Sequence, residues 1–325
     1  MLTATAAHAG STGFNALPSE LLLEIIPHVP YSLHSLSCLC LTCEKLNRLI
    51  KGHEHSITTA IQDWQFCQDT PALFPGLDHS YSGLSQLYKR LETLDELHTH
   101  WLRVTNNGPD LNWMRDRWEQ VHKAGMLLLY RITDCMTHDA KLNLLASLPA
   151  TSLACLLFKL YSSIKILRIY GPEPINAAYA KQDIMQRSDI ELAFEEMLLQ
   201  HGPDFFVVML QAGRPEKSAW AVRSVFASAL TTHSSADRFS SALEAEIAGM
   251  EDRQTPLATG EPKPPTLISA LRRAFAGRMG CHLSQNTTKM WEVLSSTAFD
   301  RVDDMKLVQI VQGKKLDKGM RRMGF

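Results

Sequence analysis

The chain has 325 residues, of which 45% are hydrophobic, and it contains 17 Gly and 15 Pro. This length and composition predict a globular protein of about two domains and exclude collagen, coiled-coil fibres and wholly disordered chains. Thirty-three Lys and Arg balance 34 Asp and Glu to a formal net charge of -1, so no overall field draws the chain to nucleic acid or to an anionic membrane. We therefore expect neither a specific nucleic-acid partner nor a membrane.

The cysteines and the N-terminal residues bear on the cellular compartment. Seven Cys, an odd number, are scattered along the chain. No Lys or Arg precedes Lys45, and the apolar run from Leu2 to Ala7 is too short for the core of a secretory signal. Reduced thiols in a cytoplasmic or nuclear protein are the better interpretation. The uncharged stretches 25–43 and 142–158 contain prolines, and we predict buried helical segments for both.

We expect residues 1–13 to be a disordered N-terminus, after which residues 14–52 form a small helical motif. Leu17-Pro18 forces an extended entry, and a helix starts at Pro18 or Ser19. Two prolines, Pro27 and Pro30, end this helix. Its apolar surface comprises Leu21, Leu22, Ile25 and Ile26. A single second helix follows, with Leu36, Cys40, Cys43 and Asn47 on one face. Two short helices cannot bury so much apolar surface alone, so either the rest of the chain or a second protein must cover it.

The remainder of the chain predicts an all-α protein. Apolar residues recur at helical spacing, and no stretch shows the sustained alternation of a half-buried strand. The stripes from Leu87 to Val104 and from Met114 to Cys135 predict two neighbouring helices, the first ending at Asn107-Gly108-Pro109. No fixed repeat period is present, so residues 53–250 are predicted to form an irregular helical bundle, with a solenoid-like body as the alternative.

Further along the chain, Ser188 and Glu191 have the spacing of a capping box, which predicts a helix start at Ser188. A Pro-rich linker or loop is predicted over 251–266, because its prolines lack a backbone donor and disfavour helical angles. Residues 267–325 are predicted to form C-terminal helices followed by a basic tail, in which five Lys or Arg from Lys314 onward face Asp317 alone.

The motif at residues 14–52 also resembles a known family. Residues 17–26 read Leu-Pro-Ser-Glu-Leu-Leu-Leu-Glu-Ile-Ile, and residues 41–46 read Leu-Thr-Cys-Glu-Lys-Leu. These two segments are similar to the F-box motif, especially to that of filamentous fungal proteins. The resemblance implies docking to the SKP adaptor of a cullin-RING ubiquitin ligase, with the helical body presenting a protein substrate and no catalysis by this chain. The positions that it implies in or directly behind the adaptor contact are Leu17, Pro18, Leu21, Leu22, Ile25, Ile26, Leu33, Leu36, Leu41, Cys43 and Leu46.

Two other classes of function stay open. In the first, the chain is a helical scaffold whose N-terminal helices pack on their own body and recruit no ligase. In the second, it is a helical enzyme, which would need a deep polar pocket with displaced pKa values. None of the usual glycine-rich phosphate or dinucleotide loops, serine-hydrolase elbows or His-Glu-x-x-His motifs occurs in the sequence.

A metal site is considered at Cys38, Cys40 and Cys43, which have four histidines nearby. On one helix, Cys38 and Cys40 lie about 200° apart, so only Cys40 and Cys43 face together. Tetrahedral zinc needs four convergent donors, and we therefore expect no metal and no cofactor. The tryptophans occur in helical patterns and are predicted to be core residues: Trp64, Trp101, Trp113, Trp118, Trp220 and Trp291.

Overall fold

The computed structural model describes residues 17–32, 34–66, 69–107, 109–172, 175, 184–211, 265–300, 302–314 and 316. These residues form α-helices and short 3-10 turns, with no β-strand among them, which confirms the all-α prediction. The predictions for residues 1–13, for Trp220, for segment 251–264 and for the tail from 317 onward lie outside the described residues. The chain divides into two compact units, one of residues up to Pro71 with Pro75–Leu91, and one of Ala72–Phe74 with the residues from Glu92 onward.

The first unit is built from short helices. They are α1 (Ser19–Ile25), α2 (Ser35–Thr42), α3 (Glu44–Gly52), α4 (Glu54–Gln65), the first half of the single-turn α5 (Thr70–Leu73), and the first turns of α6 (Tyr81–Asn107). Pro18 adopts an extended conformation directly before α1, as the Leu-Pro pair predicts. A 3-10 turn over Ile26–His28 follows α1 and contains Pro27, so the predicted end of the first helix is confirmed.

The prediction of one helix after residue 33 is wrong, because the chain turns at Cys43. Cys43 has φ -159° and ψ 157°, an extended conformation that separates α2 from α3. Neither Gly nor Pro marks the break in the sequence. Glu44 then lies in the first turn of α3, where a carboxylate interacts favourably with the partial positive charge of the helix N-terminus.

The second unit contains the longer helices. After the rest of α6 come α7 (Arg117–Thr133), α8 (His138–Ser147), α9 (Ala150–Tyr170), α10 (Ile184–His201), α11 (Pro203–Leu210), α12 (Leu267–Met279), α13 (Asn286–Leu294) and α14 (Asp304–Gln312). The predicted end of α6 at Asn107 is confirmed, and Trp101 of α6 stacks on His122 of α7 with 4.0 Å between ring centroids. The predicted start at Ser188 is wrong, since α10 begins at Ile184.

Helix α9 is the centre of the second unit. It packs against α7, α10, α11, α12, α13 and α14, which makes this unit an irregular bundle. Gly125 lets α7 approach α9 closely, because a Cβ at this position would lie 2.5 Å from Cβ of Lys159. At one end of the interface, Trp118 stacks on Phe158 at 5.2 Å between centroids, and Trp291 packs edge-on against Trp118 at 5.1 Å.

A lysine side chain is sealed inside this bundle. Lys159 of α9 is 0% exposed, its Nζ lies 3.9 Å from the centroid of the Phe206 ring, and the same atom is 3.5 Å from Nε2 of His122. No carboxylate of the described residues forms a salt bridge with it. Burial lowers the pKa of Lys159 well below its ordinary value, and burial together with the nearby Lys159 lowers the pKa of His122. Burial thus disfavours the charged form of both side chains.

Among the described helices, α9 alone is long and apolar enough to cross a membrane by length and composition. Of its most apolar window, 72% is buried inside the protein. The central helix of a folded bundle has these same properties.

Candidate partner-docking surface

The first unit has a small core of its own, which contains some of the residues predicted at the adaptor contact. Leu22 and Ile26, four residues apart, point inward from α1 and the following turn and are 1% and 3% exposed. Leu46 of α3 is also buried. They share this core with Ile50, Ile57 and Ile61. These side chains hold the unit together from behind the surface and are not available to a partner.

Other predicted contact residues lie on the surface of the first unit. Leu21 and Ile25, also four residues apart, lie about 100° around α1 from the buried pair and are 45% and 39% exposed. Leu41, near the end of α2, is 86% exposed. Of the remaining predicted residues, Pro18 is exposed and Leu33 lies outside the described residues, while three are partly buried: Leu17, Leu36 and Cys43. The structure thus divides the predicted set into a supporting core and an exposed apolar surface.

The loop between α1 and α2 is fixed by one side chain of α4. Nε2 of Gln65 donates to the carbonyl oxygens of Pro27 and Val29, and Oε1 of Gln65 accepts from the backbone N–H of Tyr31 at 2.8 Å. The Gln65 amide thus satisfies three backbone groups in the 3-10 turn and the segment that follows it. Sequence reasoning gave no indication of this contact, because it joins positions more than 30 residues apart.

Two further contacts fix the helices of the first unit. The Lys45 ammonium of α3 donates to the carbonyl oxygen of Leu17 at the entry to α1. The Tyr81 hydroxyl donates to the carbonyl oxygen of Ile50 at 2.6 Å, and the Tyr81 backbone N–H donates to Oε1 of Glu54 at 2.6 Å. Burial and the neighbouring Glu54 carboxylate raise the pKa of the Tyr81 hydroxyl, which keeps it a neutral donor.

Trp64 is exposed, so the prediction that it is a core residue is wrong. It lies at the C-terminal end of α4, is 69% exposed, and packs edge-on against the exposed His28 ring at 4.6 Å between centroids. Trp64 follows Ile57 by seven residues and therefore shares the helix face of the buried Ile57 and Ile61. The apolar face of α4 continues past the packed part of the unit, and a helical pattern alone does not show where packing ends.

The cysteines of this region do not form the face that the sequence predicts. Cys38 is exposed, Cys40 and Cys43 are partly buried, and the extended conformation of Cys43 removes the single helix on which Cys40 and Cys43 would face together. Within the part of the chain that the structure describes, no group of three or more His, Cys, Asp or Glu side chains is placed to hold a metal ion. All the cysteines of the described residues are free thiols.

The second unit has a concave surface of about 610 Å³ beside the N-terminus of α7. Trp113, Trp118 and Arg117 line it, with Asp300 on the other side. The Arg117 guanidinium lies 4.6 Å from the centroid of the Trp118 ring and 3.7 Å from Oδ1 of Asp300. Trp113, predicted as a core residue, is 41% exposed here, whereas Trp101 is buried as predicted. Asp116 and Arg115 also line this open surface, which therefore offers aromatic contacts beside charges of both signs.

Two basic side chains of the second unit with strongly lowered pKa values are buried and do not line this surface. Lys159 and His122 are 0% and 2% exposed, so no substrate reaches them in the folded bundle. The geometry of the described residues therefore offers surfaces for binding other molecules. No protein-family model, no curated protein and no solved structure matches this chain.

Proposed function

We propose that this protein is a non-catalytic, substrate-recognition adaptor of an SKP-cullin-F-box ubiquitin ligase. The exposed apolar side chains of the first unit bind the SKP adaptor, and the helical body presents a protein client. The observation that carries the proposal is the exposure of Leu21, Ile25 and Leu41 on a unit whose own core is formed by other residues of the same motif.

The two sides of α1 have separate tasks in this proposal. Leu22 and Ile26 anchor the helix to its own unit, which leaves Leu21 and Ile25 free to contact a second protein. Single apolar side chains are ordinary on protein surfaces, but several large exposed ones within one small unit are typical of interaction sites. The match between this exposed set and the positions that the F-box resemblance implies favours the SKP adaptor as the partner.

The three exposed side chains supply part of the binding free energy that a complex needs. Complete burial of a Leu or Ile side chain stabilises by about 1.5–3 kcal/mol relative to exposure. Leu21, Ile25 and Leu41 begin partly exposed, so each contributes a fraction of that range on binding. Together these fractions amount to about 3–5 kcal/mol, whereas the loss of translational and rotational freedom on association costs about 4–15 kcal/mol, so a stable complex needs contacts beyond these three side chains.

The test is a co-purification of the full-length protein with the SKP adaptor. The double variant Leu21→Asp with Ile25→Asp places two carboxylates in the proposed contact and is expected to abolish capture, because a desolvated, unpaired charge is costly. Leu102→Asp is the matched control, since Leu102 is 38% exposed on α6 in the second unit. Loss of capture in the double variant alone supports the proposal.

Undiminished capture by the double variant, with far-UV circular dichroism equal to the parent protein, contradicts the adaptor function. The scaffold interpretation predicts this second result, because it assigns no ligase partner to α1. The same experiment therefore separates the two classes of function.

A further inference from the structure

The exposed apolar side of α1 does not end with the helix. Leu21, Ile25 and His28 follow one another at spacings of four and three residues, which keeps them on one side as α1 passes into the 3-10 turn. The intervening Ile26 and Pro27 are buried. His28 is exposed, and its outer neighbour is the Trp64 ring of α4.

Trp64 therefore joins two apolar features. One is the exposed side of α1, which reaches it through His28. The other is the buried face of α4, where Ile57 and Ile61 are each 1% exposed while Trp64 on the same face is 69% exposed. The core of the first unit thus opens onto the surface at Trp64, directly beside the side chains proposed to bind the SKP adaptor.

The site is also held in a fixed shape. Gln65, the neighbour of Trp64, binds the backbone of Pro27, Val29 and Tyr31, so the loop carrying His28 is fastened to the end of α4. The Trp64 ring is packed against His28 in a T-shaped arrangement with 62° between ring planes. A large aromatic side chain that is exposed but already positioned loses little conformational freedom when a partner covers it.

We propose that Trp64, supported by His28, extends the SKP-docking surface beyond the motif at residues 14–52 and is its main aromatic anchor. This inference rests on the proposed adaptor function and adds to it a contact that lies outside the F-box resemblance. Tryptophan is among the residues that most often dominate binding free energy, when it is central in a desolvated contact.

The experiment measures the affinity of the full-length protein for purified SKP adaptor by isothermal titration calorimetry. We expect Trp64→Ala to weaken binding about 30-fold and His28→Ala about 3- to 10-fold, and we expect Trp64→Phe to recover part of the loss because it keeps an aromatic ring. Trp113→Ala is the matched control, as it removes another partly exposed tryptophan in the second unit. It is expected to leave the affinity unchanged.

A second measurement detects the contact without mutation. In hydroxyl-radical footprinting, oxidation of Trp64 is expected to fall when the SKP adaptor is added, while oxidation of Trp113 stays constant. Full affinity of Trp64→Ala, or unprotected Trp64 in the complex, overturns the inference. If Leu21→Asp with Ile25→Asp still abolishes binding in that case, the adaptor function stands without Trp64.

Two further outcomes also overturn the inference. If the parent protein does not bind the SKP adaptor at all, the adaptor function and the Trp64 contact fail together. If Trp64 becomes protected as the concentration of this protein rises without the adaptor, a second copy of the chain covers the site.

Discussion

Helices α1 and α9 depart from the usual distribution of residues in opposite directions. Helix α1 leaves Leu21 and Ile25 on the surface, whereas α9 takes Lys159 into the interior. The first departure adds apolar surface where a partner can use it, and the second places a basic group where no substrate reaches it. The comparison teaches that an apolar residue outside or a charged residue inside indicates an interaction site only when its side chain is accessible.

The sharpest way to test this comparison uses two adjacent leucines of α1. Leu22→Ala is expected to lower the free energy of unfolding of the first unit by about 2–5 kcal/mol, because it removes a core side chain. Leu21→Ala is expected to change it by less than about 0.5 kcal/mol, because Leu21 is exposed. Hydrogen exchange of the amides of α1 and α3, followed by mass spectrometry, measures both. Equal effects would mean that α1 has no distinct inner and outer sides.

The second prediction concerns the buried amine. Lys159→Met keeps the length of the side chain and is expected to raise the stability of the second unit by about 1–3 kcal/mol at neutral pH, since it removes a poorly paired polar group from the interior. Chemical denaturation followed by circular dichroism measures the change. Leu160→Met, at a neighbouring buried position without a polar atom, is the control and is expected to be neutral or slightly destabilising.

The lowered pKa of Lys159 also predicts how the stability of the second unit changes with pH. The lowered pKa of Lys159 means that the unfolded chain binds a proton that the folded chain does not, so stability rises with pH by up to about 1.4 kcal/mol per unit below the ordinary lysine pKa. The lowered pKa of His122 likewise makes stability rise with pH below the ordinary histidine pKa. As the pH rises from the lowered pKa of Lys159 in the folded protein towards the ordinary lysine pKa, the parent protein should gain stability relative to Lys159→Met. Parallel curves would show that the Lys159 amine is charged in the fold.

The smallest expected effect is at a helix terminus in the second unit. Thr137 caps α8, with its hydroxyl accepting from the backbone N–H of Ala140 at 3.2 Å. Thr137→Ala is expected to cost about 1 kcal/mol in thermal or chemical denaturation. Thr99→Ala, at an exposed position within α6, is the control and should have little effect. A loss at Thr99 as large as that at Thr137 would show that the cap has no special role.

The sequence predicts the helices of the second unit well because their apolar stripes are long. Helices α6 and α7 follow periodic patterns over several turns, and packing agrees with those patterns. The break at Cys43 has no local signal, since Leu41-Thr42-Cys43-Glu44 contains neither Gly nor Pro and the turn depends on packing within the unit. Sequence patterns therefore predict one helix where the structure has two, α2 and α3.

The docking surface was predicted in part for a related reason. The spacing of Leu21, Leu22, Ile25 and Ile26 shows that α1 is apolar on a broad surface but not which pair faces inward. Trp64 shares the periodicity of the α4 core, and only the three-dimensional packing shows that it lies beyond the covered region. Lys159 was not singled out, because a basic residue in an apolar helix normally reaches solvent with its end group.

The side chain of Gln65 fixes the α1–α2 loop through bonds that do not depend on charge. Its amide carries no charge and does not titrate, so neither acidification nor added salt removes its bonds to Pro27, Val29 and Tyr31. Acidification does act on the buried Lys159 and His122 of the other unit. The bonds of Gln65 to the α1–α2 loop should thus persist in mildly acidic solution while the helical bundle around α9 weakens, which gives the two units a different tolerance of acid.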